Sequence, residues 1–358
     1  MNKKKLFAAL TSAAMLLNGA PLNVFAEEMV EASGVLGGVT NDDGSIAINN
    51  KNFPDEALLK AVSDSAKNQE NPTNDAAKVE SLNVPNNVED LSGLQYLTGL
   101  TSLTISGNTN LSSLDLSKNT ALQNLTVSGN PGLVSIILPT TEELDVITIT
   151  NNKSLTELDL TPASLVTKAY LQDNALAKLT VTNNLHLTNL DVHGNVLYAL
   201  DTTGCRHLED ICAAGNRIYE INITSRAVIN LDLAGNKLTT LDVSDMANLE
   251  KLNVADNMLE SIVLPEENSL TYFNCDQNHL ASLDLSSVID ESSEITESNG
   301  TGGVTVITGT QSLFAGTEDT AINLKNYDAN FDAGKTKLYD ADGNLTNTPI
   351  GKNGVADL

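Results

Sequence analysis

The side chains that most often perform catalysis are spread thinly along this chain. Its four histidines lie in separate repeat units, at His186, His193, His207 and His279. The sequence contains no G-x-S-x-G, H-E-x-x-H or phosphate-loop motif. Paired carboxylates are plentiful, but they are expected without a function in a chain with 46 acidic and 20 basic residues. Because catalysis needs several groups that converge in a cleft, the sequence predicts neither an enzyme nor a cofactor.

The spacing of potential ligands along the chain predicts no metal site. The pentad Asp340–Asn344 (DADGN) is similar to a calcium loop, but it lacks the D-x-D-x-D-G spacing and a closing glutamate, so an ordinary turn is favoured. Cys205, Cys212 and Cys275 are an odd number of cysteines and imply no disulfide framework. Cys275 stands at an inward-facing position, where it would pack as a small hydrophobe. Aspartates also recur in the second half of several repeats, and a solubilising surface is favoured there over a calcium column: Asp115, Asp159, Asp201, Asp242 and Asp284.

Binding is the chemistry that the outward residues of the repeats could supply. In the first three repeats these residues are mostly serine and threonine, which make a bland β-surface. From the fourth repeat onward they change to aromatic, charged and amide side chains, and such groups on a rigid sheet are the usual material of binding hot spots. The alternative is an ordinary solvated sheet surface. The candidate ligand-binding residues are Lys168, Tyr170, Asp191, His193, Asp232, Lys251, Asn253, Tyr272 and Asn274.

These candidates are positioned by a repeat whose most regular member is an asparagine. Apolar residues mostly stand three and five positions before it, which gives the frame L-x-x-L-x-L-x-x-N, as in Gln123–Asn130 (QNLTVSGN). That frame is typical of a leucine-rich-repeat solenoid. The asparagines recur at steps of 20 to 22 residues, at Asn108, Asn130, Asn152, Asn174, Asn195, Asn216, Asn236, Asn257 and Asn278.

Each repeat contains two apolar pairs with period-two alternation, which predicts two short strands per coil. Stacked over about nine coils of 20–22 residues, these strands would form two parallel sheets around a continuous core, so the predicted fold class is a mainly β solenoid. An asparagine amide that points inward at the turn after its strand can satisfy backbone groups that would otherwise be buried unpaired. We therefore interpret the nine asparagines as a structural ladder.

Both ends of such a solenoid need a cap, because an open end exposes the apolar core and a strand edge. In the N-terminal cap we expect a helix with Pro54 in its first turn, followed by a strand at Val79–Val84. In the C-terminal cap we expect strands at 304–307, 321–324 and 337–339. The predicted organisation is a signal peptide (1–26), a flexible lead-in (27–49), the N-terminal cap with its helix (50–99), the solenoid (100–289), and a linker with a small β-rich C-terminal cap (290–358).

The first 26 residues have the features of a signal peptide. A basic segment at Lys3–Lys5 precedes a short apolar run at Leu6–Leu17, and Val24–Ala26 offers small residues for cleavage. No later stretch is apolar enough to predict a transmembrane span in the mature chain. The formal net charge of −26 repels phosphate backbones and argues against nucleic acid as a partner.

The chain resembles the secreted leucine-rich-repeat proteins of Gram-positive bacteria that are described as internalin-like or BspA-like. The resemblance rests on the NFPDEALLKAVSD helix segment, the LNVPNNVEDLSGLQYLTGLTSL lead-in and coils such as LSSLDLSKNTALQNLTVSGN. It implies a monomeric, secreted or cell-surface adhesion module without catalysis in its repeats. The implied partner is an extracellular protein or glycan of a host or a neighbouring cell. The alternative is a structural surface or matrix component without a single specific ligand.

Overall fold

The described part of the chain is a stack of coils behind a helical cap. The computed structural model describes residues 38–266 and 270–280, together with the backbone of three short strands beyond them. Among the described residues, no helix is both long and apolar enough to cross a membrane. Several predicted features lie outside the described residues: the signal peptide at 1–26, the first part of the lead-in, Asp284, the linker at 290–303, the strand at 337–339 and the turn at 340–344.

Among the residues that the structure describes, the regular elements are one α-helix, two single-turn 3-10 helices and a long series of short strands. The helices are α1 (Glu56–Asn68) and the 3-10 turns Ala76–Lys78 and Leu94–Tyr96. The strands are β1 (Ser81–Val84), β2 (Ser102–Ser106), β3 (Ser113–Asp115), β4 (Asn124–Ser128), β5 (Ser135–Ile137), β6 (Val146–Thr150), β7 (Glu157–Asp159), β8 (Lys168–Tyr170), β9 (Lys178–Thr180), β10 (Asn189–Asp191), β11 (Ala199–Asp201), β12 (Asp210–Cys212), β13 (Glu220–Asn222), β14 (Asn230–Asp232), β15 (Thr240–Asp242), β16 (Lys251–Asn253), β17 (Ser261–Val263), β18 (Tyr272–Asn274), β19 (Thr305–Ile307), β20 (Ala321–Asn323) and β21 (Val355–Asp357).

The cap helix forms where the sequence predicts it, with a different first residue. Asp55 is the N-cap, and its side chain accepts hydrogen bonds from the backbone N–H groups of Ala57 and Leu58. Pro54 therefore precedes the cap, and the expectation that it sits in the first helical turn was wrong. An aspartate caps a helix better than it continues one, because its carboxylate satisfies N–H groups that have no partner within the helix. Leu58 and Val62 are fully buried on the inner face of the helix.

One parallel sheet runs the length of the solenoid and carries the asparagine-bearing strands. Its eleven strands follow the order β1-β2-β4-β6-β8-β10-β12-β14-β16-β18-β19, and we call it the long sheet. The cap strand β1 pairs in register with β2, Leu82 opposite Leu103, so the predicted strand near residues 79–84 is confirmed and belongs to the same sheet. Apolar residues of these strands point inward and are almost completely buried, as at Leu190 and Leu231. The mainly β solenoid is thus confirmed.

The opposite side of the solenoid differs from the predicted second sheet. Its strands pair only two at a time, as β3-β5, β7-β9, β11-β13 and β15-β17. Each of these strands is three residues long, so a small displacement between successive coils is enough to interrupt the ladder of hydrogen bonds. The strands on this side are parallel, as predicted, but they form separate pairs instead of a second sheet along the solenoid.

All nine repeat asparagines are buried, with at most 6% of their surface exposed. Asn195 shows the pattern. Its Oδ1 accepts the N–H of Leu176 at 3.0 Å, and its Nδ2 donates to the carbonyls of Leu171 and Val192, each at 2.9 Å. The residue that precedes each of the nine has a left-handed backbone, with φ between 52° and 71°. That geometry turns the chain sharply enough to aim the amide into the core.

The solenoid has two hydrogen-bonding regimes that the uniform repeat frame does not indicate. In the first coils the side-chain oxygen of one asparagine accepts the N–H of the preceding asparagine, as between Asn130 and Asn108 at 2.9 Å. From Asn195 onward, the side-chain oxygen accepts instead the N–H of the residue two positions after the preceding asparagine, as between Asn195 and Leu176. The change coincides with the shortening of the step from 22 residues to 21 or 20, and it comes one coil after the strands shorten from five residues in β6 to three in β8.

A second row of buried groups lies under the opposite side of the coils. Asn119 donates to the carbonyls of Leu94 and Leu97 at 2.8 and 2.9 Å. The equivalent place in a later coil is taken by Cys205, whose thiol donates to the carbonyl of Val181 at 3.0 Å. Small polar groups here satisfy turn carbonyls that are buried away from water. The sequence analysis missed this row because its residue type changes from coil to coil: Asn119, Thr141, Asn184, Cys205 and Ser225.

Two of the strands predicted for the C-terminal region form, but the first has a different partner. β19 pairs in parallel with β18 and so extends the long sheet, instead of belonging to a separate cap sheet. A strand in this place covers the backbone edge that β18 would otherwise leave unpaired. β20 pairs antiparallel with β21, a strand that the sequence analysis did not predict.

Candidate functional site

The outward residues of the long sheet form three straight columns, because its strands pair in register. The central column contains Tyr170, Asp191, Cys212, Asp232, Asn253 and Asn274, each opposite the next. The leading column, two residues earlier on each strand, contains Lys168, Asn189, Asp210, Asn230, Lys251 and Tyr272. The trailing column, two residues after the central one, contains Gln172, His193, Ala214, Ala234, Ala255 and Asp276. We call the three columns over β8–β18 the outward face.

The nine candidate residues all lie on the outward face, but they do not form one cluster. Lys168 and Tyr170 share strand β8, and Tyr170 stands opposite Asp191 of the next coil. At the other end, Lys251 stands opposite Tyr272 in the leading column. Further members are brought together along the central column, where Asp232, Asn253 and Asn274 follow one another. His193 is the one candidate in the trailing column.

Several central-column side chains already have a structural task. Asp232 Oδ1 accepts the N–H of Ala234 at 3.0 Å, two residues further along the chain. The same bond recurs at three other positions, where the side-chain oxygen accepts the backbone N–H two residues later at 3.1 to 3.4 Å: Asp191, Asn253 and Asn274. Such Asx turns close the bend that follows each strand. Aspartate or asparagine at these positions is therefore explained partly by the turn, before any ligand is considered.

The aspartates on the opposite side of the coils make the same turn. Asp115, Asp159, Asp201 and Asp242 each accept the N–H of the residue two positions later, at 2.9 to 3.0 Å. Hydrogen bonds from the hydroxyl and the N–H of Thr203 lower the pKa of Asp201, and those of Ser244 lower the pKa of Asp242. Their recurrence therefore follows from closing a turn, a reason that neither the solubilising nor the calcium interpretation had considered.

An amide–carboxylate row crosses the middle of the leading column. The Asp210 carboxylate accepts a hydrogen bond from Asn189 Nδ2 at 2.6 Å and another from Asn230 Nδ2 at 2.5 Å. The two asparagines belong to the coils on either side, so the row ties three coils together. None of these residues was among the candidates. Their mutual bonds leave them less available to a partner than the lysines at either end of the column.

Acidic, imidazole and thiol groups meet near the middle of the outward face. Asp191 Oδ1 lies 2.7 Å from His193 Nδ1, and Cys212 stands opposite Asp191 on the neighbouring strand. Burial, together with the neighbouring Asp191 and Asp232 carboxylates, raises the pKa of Cys212 to about 11. Asp173 lies on the far side of the imidazole, its Oδ2 3.9 Å from His193 Nε2. The spacing along the chain did not indicate this cluster, because Asp191 and Cys212 are one whole repeat apart.

The stacked coils, the inward apolar pairs and the buried asparagine row define a leucine-rich-repeat fold, consistent with the internalin-like resemblance of the sequence. Residues 53–195 match the family model described as the Endo-beta-N-acetylglucosaminidase EndoS LRR domain. The match covers less than half of the 358 residues. It concerns the repeat domain of that enzyme.

Three of the solved structures to which the chain is similar come from bacteria. The functional domain of InlJ from Listeria monocytogenes is 19% identical, with 86% of this chain and 91% of that chain covered and a TM-score of 0.32. A leucine-rich-repeat protein of Leptospira interrogans is 22% identical over 64% of this chain and 72% of that chain, with a TM-score of 0.46. InlP from Listeria monocytogenes is 18% identical over 66% and 67% of the two chains, with a TM-score of 0.42. No curated protein matches the sequence.

Proposed function

We propose that this protein is a secreted or cell-surface adhesion module that binds an extracellular protein or glycan of a host or a neighbouring cell. The outward face of the long sheet is the proposed binding surface, and the proposal includes no catalytic step. The leucine-rich-repeat fold supports a binding role, because stacked coils present a long, rigid surface built from many independently variable positions. In this proposal the protein acts as a monomer.

The observation that carries the proposal is the change of chemistry along one continuous, in-register surface. Thr148 of β6 stands directly opposite Tyr170 of β8, and from that point the threonine column gives way to aromatic, acidic and amide groups. The changed surface spans the six strands from β8 to β18, roughly 24 Å at the usual spacing between strands. An extended patch of this kind suits a macromolecular partner better than a small molecule.

The side chains that are most available to a partner lie at the two ends of the outward face. Within the described residues, the side chains of Lys168, Tyr170, Lys251 and Tyr272 make no hydrogen bond or ion pair, whereas the aspartates between them close turns or bond to asparagines. A lysine and a tyrosine thus stand together at each end of an acidic middle. Tyrosine is common among hot spots because it buries a large surface with little loss of entropy. We propose these two lysine–tyrosine pairs as the anchors of the partner.

The first test is a screen of the purified protein against an array of extracellular-matrix proteins, host receptors and glycans, followed by variants of the face. Tyr170→Ala combined with Asp191→Asn is expected to weaken a saturable interaction at least about tenfold. The asparagine keeps an oxygen that can accept the N–H of His193, so the turn is preserved while the charge is removed. Binding would be measured by surface plasmon resonance and folding by thermal melting.

The matched control is Tyr219→Ala combined with Asp245→Asn. Tyr219 is 62% exposed and both residues lie away from the outward face, so binding should be unchanged. Equal losses in the two double variants would contradict the proposed face. If no array member binds saturably, and light scattering shows self-assembly that depends on protein concentration, the role of a structural matrix component would be favoured instead.

A further inference from the structure

One potential ligand atom from each of Asp191, His193 and Cys212 lies within 4.8 Å of the other two. Two adjacent strands and one turn build this arrangement. Asp191 ends β10, Cys212 ends β12 directly opposite it, and His193 follows Asp191 by two residues. All three side chains are partly buried, and 42% of the His193 side chain and 25% of the Asp191 side chain remain exposed. The three side chains are therefore reachable from solvent, and the sheet fixes the positions of the strands that carry them.

We propose that Asp191, His193 and Cys212 form a binding site for a divalent transition-metal ion, with zinc the ion that fits best. Thiolate, imidazole and carboxylate are the three side-chain ligands that zinc takes in proteins, and a thiolate with an imidazole disfavours magnesium and calcium. Three protein ligands leave a fourth tetrahedral position for water or for a group from a partner. At usual zinc–ligand distances the three atoms would stand about 3.3–3.8 Å apart, so small side-chain rotations suffice to close the site.

The surroundings of His193 support the same assignment. Asp191 lies beside Nδ1 at 2.7 Å, and Asp173 of the preceding coil lies 3.9 Å from Nε2. A metal-bound histidine commonly turns its other N–H toward a carboxylate, which fixes the tautomer and the orientation of the ring. Asp173 is in place for that role because it occupies the left-handed position before a ladder asparagine, with φ of 62°. It is a positioning residue in this site.

The proton balance of metal binding follows from the ligands. The Cys212 thiol releases its proton to solvent and coordinates as the thiolate. Coordination through the Nδ1 lone pair replaces the 2.7 Å contact of Nδ1 with Asp191 Oδ1, and the neutral ring then carries its proton on Nε2, which faces Asp173. Asp191 coordinates as the carboxylate, and its side chain keeps the hydrogen bond from the backbone N–H of His193. The thiol therefore gives up one proton for each ion bound.

The corresponding places in neighbouring coils do not repeat this set. The coil before has Tyr170 and Gln172 where this coil has Asp191 and His193, and the coil after has Cys212 and Ala214. Within residues 38–266 and 270–280, this is the one place where three such ligand groups meet. Closing the turn accounts for Asp191 alone. It gives no reason for an imidazole and a thiol to face the same carboxylate.

The test is a calorimetric titration of the chelator-treated, reduced full chain with zinc chloride, and with cobalt chloride in an absorption spectrometer. We expect one equivalent of zinc to bind and cobalt to give a thiolate-to-cobalt charge-transfer band. Cys212→Ser and His193→Ala are each expected to weaken zinc binding at least tenfold, and Asp173→Asn to weaken it about 10-fold to 100-fold through the positioning of the ring. Magnesium and calcium are expected not to compete.

The controls are His186→Ala and Cys205→Ser, which remove an imidazole and a thiol elsewhere in the solenoid and should leave the titration unchanged. Thermal melting reports whether each variant is folded, and the cobalt band of the unaltered protein tests thiolate coordination without any substitution. The proposal would be overturned by the absence of zinc binding at micromolar concentration or by the absence of a charge-transfer band. It would also be overturned if Cys212→Ser and His193→Ala bound zinc as tightly as the native protein. The titration contains no macromolecular partner, so its failure leaves the proposed adhesion function standing.

Discussion

Replacing Asn195 by leucine is expected to lower the free energy of unfolding by about 3 kcal/mol. Leucine has the same number and branching of side-chain heavy atoms but no polar atom, so the N–H of Leu176 would lose its acceptor inside the core. The carbonyls of Leu171 and Val192 would each lose one donor, although Asn174 and Asn216 still bond to them. The main penalty is therefore one buried N–H without a partner, with the two weakened carbonyls in addition.

Urea unfolding followed by circular dichroism measures this change, and Asn248→Leu provides the matched control. Asn248 is an exposed asparagine of the same solenoid, so the same substitution there should change the free energy of unfolding by less than about 0.5 kcal/mol. An unchanged midpoint for Asn195→Leu would refute the interpretation of the asparagines as a structural ladder. Similar losses in both variants would show that leucine itself, rather than the lost bonds, is responsible.

The second large effect is expected at the N-terminal cap, where Asp55→Ala should lower the free energy of unfolding by about 2 kcal/mol. One carboxylate oxygen caps α1 through Ala57 and Leu58, at 2.9 and 3.0 Å. The other accepts the N–H groups of Glu89 and Asp90 at 2.9 and 3.3 Å, and so fastens the helix to the segment that leads into the first coil. Alanine removes both functions at once.

The same carboxylate makes the cap sensitive to acid. Burial raises the pKa of Asp55, but the four backbone N–H groups outweigh burial and hold that pKa below its usual value of 3.8. A carboxylate whose pKa is lowered on folding stabilises the protein at pH values above 3.8, and this contribution is lost as the pH falls through the lowered pKa. The difference in stability between the native protein and Asp55→Ala should therefore shrink when unfolding is measured below pH 4.

Asp64→Ala is the control for the cap, because Asp64 lies on the same helix and forms only an exposed pair with Lys60. An exposed pair of this kind contributes little to stability, because water screens the two charges. Asp55→Asn keeps one oxygen acceptor and should be intermediate between the native protein and Asp55→Ala. If Asp55→Ala proves no more harmful than Asp64→Ala, the cap does not depend on the carboxylate.

The sequence predicted the long sheet well because its register follows from two signals that repeat together. An apolar pair such as Leu190 and Val192 points inward only if the strand alternates, and Asn195 then falls at the turn. The two-residue period of the strand and the position of the asparagine agree from coil to coil, so no other register buries both the apolar pair and the asparagine. The opposite side lacks such a marker. Its buried row changes from Asn184 to Cys205 to Ser225, and its pairing is broken.

The candidate site shows the limit of reasoning from linear spacing. Cys212 follows Asp191 directly in the central column, yet the cysteines were judged by their separation along the chain, where no ligand spacing is visible. Spacing rules for metal sites describe ligands on one helix or hairpin, whereas in a solenoid the nearest neighbour is one full repeat away. The turn-closing role of Asp232 was missed for another reason, since alternation reports which side a residue faces and not what its oxygen accepts.

The hydrogen bonds that link one coil to the next in the asparagine row run from each asparagine side chain to the coil before it. Asn195 reaches back to Leu171 and Leu176, and Asn216 reaches back to Val192 and Leu197, so each coil is completed by the one that follows it. The structure therefore has a direction of assembly. During synthesis the newest coil carries a backbone N–H, such as that of Leu197, whose acceptor belongs to the coil that follows, so we expect ordering to advance coil by coil from the helical cap.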